Sequence, residues 1–63
     1  MEFRLVIETD NEAFGENPTE AGGEVARILE KLASELREGS LLPGETGRLK
    51  DINGNTVGGW EHE

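Results

Sequence analysis

One stretch of this chain carries helix signals from end to end, and every other element has to be placed around it. Between Asn17 and Gly39, the residues Val25, Ile28, Leu29, Leu32 and Leu36 recur at three- and four-residue spacing, with Ala21, Ala26 and Ala33 as small fillers. That spacing makes one apolar stripe along one helix face. The ends are marked by capping chemistry. Asn17 can accept from the free amides of the first turn, Pro18 presets φ at the first helical position, and Glu20 can reach back to the cap. Gly39 is placed to end it. The pattern predicts a helix over 18–38. Gly22 and Gly23 weaken its first turns, each by about 1 kcal/mol relative to Ala.

A single stripe needs a surface to pack on, and the flanking segments supply one. From Met1 to Thr9 the chain alternates, with Met1, Phe3, Leu5 and Ile7 on one face and Glu2, Arg4, Val6 and Glu8 on the other. This is the period of a half-buried strand, predicted over 2–9. Asp10 to Glu16 reads as a loop held down by Phe14. The C-terminal third reads as a hairpin, with strands over 47–52 and 55–61. In Asp51-Ile52-Asn53-Gly54 the Asp, Asn and Gly stand where a type I turn prefers them, and Gly54 suits the left-handed position of a three-residue loop. That register sets Leu49 opposite Val57, whereas a two-residue turn would set it opposite Gly58. Leu41 and Leu42 are expected to close the bottom of the core. Trp60 lies three positions after Val57 and so falls on the other face, unless a bulge near Gly58-Gly59 turns it inward.

These elements predict one small α+β domain over 1–63. Its order is β-α-β-β, a three-stranded sheet with one helix on one face; the first strand can pair either parallel to the second or antiparallel to the third, and the antiparallel choice is favoured. The other sheet face is left without a covering layer. Leu, Ile, Val and Phe make up only 15 of 63 residues. A chain this short buries about 60% of its extended surface. With no cysteine for disulfides or zinc-thiolate sites, dimerisation or a partner's surface is a physical expectation.

Composition also excludes function classes. Zero cysteines, zero tyrosines and a single histidine, His62, one residue from the end, leave few arrangements for acid/base or nucleophilic work. No enzyme, cofactor or metal is expected. Gly44-Glu45-Thr46-Gly47-Arg48-Leu49-Lys50 lacks the adjacent lysine and hydroxyl of a phosphate loop. A calcium loop laid on Asp10, Glu12, Phe14 and Gly15 fails at Phe14 and again at Ala21, where a bidentate Glu belongs. The formal charge of -8 repels phosphate backbones, so no direct nucleic-acid contact is expected. No membrane span or secretory signal is read, and the cytoplasm is the expected compartment.

The charge is uneven. Through residue 24 there are seven acids against Arg4 alone, a net of -6; beyond it seven acids face five bases. One reading is a solvated loop with Glu20 and Glu24 favoured by the helix dipole. The other is an acidic edge made of Glu8, Asp10, Glu12, Glu16 and Glu20 that imitates a phosphate row and meets a basic, nucleic-acid-binding protein. Val6 and Trp60 are the candidates for an apolar partner or homodimer contact. Glu24 with Arg27, and Lys31 with Glu35, read as surface pairs on a wet helix face.

The runs FRLVIETDNEAFGENPTE, EVARILEKLASELREG and LKDINGNTVGGWE resemble a group of short uncharacterised bacterial proteins found in phage and mobile-element contexts. Ala13-Phe14, Asn17-Pro18 and Asp51-Ile52-Asn53-Gly54-Asn55 with Val57, Gly58 and Trp60 carry the resemblance most specifically. It implies no activity and assigns no site residues. It implies a setting, bacterial cytoplasm or phage, in which small acidic proteins act as inhibitors of nucleases and other DNA-binding machinery.

Overall fold

Alternation, capping and turn chemistry place five elements along the chain. In the computed structural model, which describes residues 1–63, these are strand β1 (Phe3–Ile7), a 3-10 turn (Glu12–Phe14), helix α1 (Pro18–Glu38), strand β2 (Thr46–Lys50) and strand β3 (Thr56–His62). The strands form one antiparallel sheet in the order β1-β3-β2. Helix α1 packs on one face through the shared core, so the chain is a small α+β domain with an open sheet face. No helix is long and apolar enough to cross a membrane.

The helix begins and ends where its caps predict. Asn17 accepts from the Glu20 N–H at 2.9 Å, and the Gly39 N–H donates to the Glu35 carbonyl at 3.1 Å. Glu20 returns to the Asn17 side-chain amide rather than to its backbone. The strands are offset from the predicted bounds. β1 is shorter than 2–9, and the hairpin strands span 46–50 and 56–62 because Asp51 to Asn55 belong to the turn.

The buried core is Phe14, Ile28, Leu32, Leu49 and Val57, with Leu5, Ile7, Val25, Leu36 and Trp60 packed around it. Phe14 is the most enclosed side chain, at 1% exposure, so the acidic loop is pinned by its one aromatic residue. Two expectations are corrected here. Leu29 lies off the packed stripe, which runs through Ala21, Val25, Ile28, Leu32 and Leu36, and it is exposed. Leu42, expected to close the core, is 58% exposed, and Leu41 is only half-buried and outside the cluster.

The hairpin has the three-residue loop but not the predicted register. The Asp51 N–H donates to the Asn55 carbonyl at 2.9 Å, the Gly54 N–H donates to the Asp51 carbonyl at 3.0 Å, and Gly54 takes φ 86°. One residue further on, the ladder slips. Lys50 pairs with Thr56 while Leu49 pairs with Gly58, so Val57 is the extra residue of a β-bulge. Both Leu49 and Val57 still reach the core. The slip also decides Trp60. It stands opposite Leu5 on one side and Gly47 on the other, and is turned to the helix side. Its ring stacks on Phe3 at 5.5 Å and lies against Gly47, where a Cβ would strike it.

The bulge requires glycine at one point: a Cβ on Gly58 would collide with the Val6 carbonyl, which is backbone and cannot yield. Gly22 and Gly23, in contrast, have open space around them in regular helix. Gly58→Ala is therefore expected to lower stability by about 1–3 kcal/mol. Gly22→Ala or Gly23→Ala should raise it by about 0.4–1 kcal/mol. Urea unfolding midpoints of the three variants check both signs.

Candidate interaction surface

The chain's carboxylates divide into two populations, and the division begins with a helix position. Glu24 is four residues before Ile28 and eight before Leu32, so the helical period turns it toward the sheet. It is only 8% exposed. The Arg27 Nε donates to its Oε1 at 2.8 Å and the Arg27 guanidinium also donates to its Oε2 at 2.9 Å; the Ile52 N–H donates to Oε2 at 2.9 Å. The Arg27 hydrogen bond holds the Glu24 pKa below the ordinary value of 4.5; burial opposes this, and the Ile52 N–H adds to it. The pair is thus an internal tie between α1 and the hairpin, not the wet surface pair expected. Lys31 and Glu35 form no ion pair at all.

Asp51, 4% exposed, is the second internal carboxylate. Its Oδ1 accepts from the N–H groups of Asn53 and Asn55, both at 2.9 Å, as an Asx turn. Its Oδ2 accepts from the Asn11 side-chain amide at 2.8 Å and from that of Asn55 at 3.2 Å. Burial works to raise the Asp51 pKa, but the Asn55 N–H, the Asn11 and Asn55 amides and the Asn53 N–H outweigh it and hold it below 3.8. Asn11 in turn accepts from the Ala13 N–H at 3.0 Å and so caps the 3-10 turn that buries Phe14. Sequence reading missed both sites. Their signals were the register of Glu24 with the apolar stripe, and an Asp followed by Asn at two and four residues.

The remaining acids point outward. Of the seven through residue 24, Glu2 pairs with Arg4 at 3.3 Å and Glu24 is internal. That leaves Glu8, Asp10, Glu12, Glu16 and Glu20, all exposed and none within ion-pair distance of a base. They follow the chain from the end of β1 through the 3-10 turn into the first turn of α1. Glu8 and Asp10 border a groove of about 150 Å³ with Asn11 and Thr56. Glu20 folds close over Gly15, which takes φ 72°, and is held by Asn17. The segment is built on fixed supports: the buried Phe14 ring, the Asn11 bridge to Asp51 and the Asn17 cap.

Val6 and Trp60 are placed differently from each other. Val6 is on the open sheet face and 63% exposed, whereas Trp60 packs on the core side. Both border one shallow groove of about 300 Å³ beside Gly59, completed by Arg4, Thr46 and Glu61. On the open face Val6 is the one large apolar side chain; Arg4 and Glu61 sit opposite one another in the ladder.

A scan against protein-family models returns no match, and searches of curated proteins and of solved structures return none either.

Glu24 and Asp51 release their protons more readily in the folded chain than their ordinary values allow. Their contribution to stability is therefore complete above about pH 4.5 and is lost as pH falls through the lowered folded values. Urea midpoints should fall on acidification below that point. Asp51→Asn, which sets an amide donor among the donors Asp51 satisfies, should lower the midpoint at neutral pH and flatten the acid dependence. A flat wild-type profile down to about pH 3 would contradict this account.

Proposed function

We propose that this protein acts without catalysis, by docking its acidic segment on a basic protein surface of the kind that binds nucleic acid. The observation that carries the reading is the sorting of carboxylates. Acids with internal work, Glu24 and Asp51, are turned inward, and Glu2 is paired with Arg4. Glu8, Asp10, Glu12, Glu16 and Glu20 are exposed without any base of the chain beside them. Unpaired carboxylates on a supported strand end, turn and helix start give a standing negative field. Such a field steers a positively charged partner and competes with phosphates for its site. Pinning the segment through Phe14, Asn11 and Asn17 before binding reduces the ordering cost of association.

The test is retention on an immobilised column. Wild-type protein should hold basic proteins from a bacterial extract at low salt and release them in excess duplex DNA or at about 1 M salt, where the screening length falls to about 3 Å. The Glu12→Lys/Glu16→Lys double variant, with an unchanged unfolding midpoint, should hold none of them. Equal retention by both forms, or no release by duplex DNA, overturns the reading.

Self-association is the second reading, favoured by the accessible surface of 4561 Å². A monomer of this mass is expected to expose roughly 4,000 Å². Met1, Phe3 and Leu42 account for part of the excess as exposed apolar residues. On this reading the melting temperature rises with protein concentration, and Phe3→Ser removes the rise. A melting temperature independent of concentration counts against it.

A further inference from the structure

A chain with fourteen acids and six bases concentrates three of its bases at one edge of the sheet. Lys31 on α1 and Arg48 and Lys50 on β2 surround a groove of about 270 Å³ between helix and strand. Its floor is Ile28, Leu32 and Leu49, and Glu35 stands at its rim. All three bases are exposed, and none has a carboxylate within 4.0 Å. The strand beside the groove is a free edge: β2 pairs with β3 and with no other strand. The Arg27 guanidinium donates to the Lys50 carbonyl at 3.2 Å at one end of that edge.

We propose that this edge receives an acidic, extended segment of another protein, which adds to β2 as a fourth strand and sets its carboxylates beside Arg48 and Lys50, on the face of β2 opposite Leu49. Strand addition draws affinity from main-chain hydrogen bonds and specificity from alternating side chains. The edge is arranged for both. Leu49 alternates with Arg48 and Lys50, so a segment that alternates small apolar and acidic residues covers the Leu49 side of the groove and neutralises the other. A second copy is a poor occupant, because antiparallel pairing of two β2 edges brings Arg48 and Lys50 of one against those of the other. A polyphosphate lacks the main-chain donors and acceptors that pair with a strand edge, and the apolar side chains that cover Leu49. This site stands apart from the acidic segment, which occupies the stretch from β1 to the start of α1, so the two can be tested separately.

The probe is a capped hexapeptide of alternating glutamate and valine, titrated into the full-length, isotope-labelled protein. Amide signals of Thr46 to Lys50 should shift and their hydrogen exchange should slow, while those of Asp10 to Glu20 stay in place. Arg48→Glu and Lys50→Glu, both at exposed positions, should each weaken binding by about 10-fold or more with an unchanged unfolding midpoint. The same peptide with lysine for glutamate should not bind. The proposal is overturned if no signal moves at millimolar peptide, if the shifts map to β1, if both variants bind as wild type does, or if a duplex DNA oligonucleotide perturbs Thr46 to Lys50 where the peptide does not.

Discussion

The carboxylate of Asp51 is the point from which the rest of this small fold is held. Four donors converge on it, from Asn11, Asn53 and twice from Asn55, so one side chain shapes the hairpin loop and fastens the acidic loop to it. The neighbouring carboxylate, Glu24 of α1, accepts from the Ile52 N–H of the same loop and so ties the helix to it, with Arg27 of the same helix paired beside it. A buried carboxylate is costly unless its oxygens are hydrogen-bonded, and here no buried side-chain polar atom lacks a partner. Deleting one acceptor would leave several donors unsatisfied at once, and that makes the junction cooperative.

The dependence on polar ties follows from the size of the core. Five apolar side chains are buried in 63 residues, a small core for a chain of this length. The apolar side chains hold the middle of the sheet against the helix. The Asp51 and Glu24 ties hold the end where the turn, the helix start and the hairpin meet. Fixing that end also fixes the surface the acids project from. Function, on the reading proposed, uses the outward carboxylates of a segment whose inward contacts keep it in place.

The bulge at Val57 is the other decisive feature. It admits both Leu49 and Val57 to the core and turns Trp60 onto Phe3 and Gly47, so the open face keeps only Val6 as a large apolar residue. That face is polar, with Arg4, Arg48 and Glu61 along its strands, and does not resemble half of a hydrophobic core. The apolar residues left in solvent instead include Phe3, Met1 and Leu42.

Local chemistry determined a good part of this protein before any packing was considered. Asn17-Pro18 and Gly39 set the helix at its observed ends, alternation set β1, and Asp51 to Gly54 set a three-residue turn, because each depends on interactions within about four residues. The five outward acids were legible for the same reason: an exposed side chain is described by its own charge. Tertiary structure completed the burial of two carboxylates that local pattern only hinted at. Beside its local donors, each of Glu24 and Asp51 takes one from far along the chain: the Ile52 N–H, 28 positions away, and the Asn11 amide, 40 positions away. It also decided the register of β3, since a one-residue bulge is chosen by how Val57, Leu49 and Trp60 share a core, and no window of the chain contains that choice.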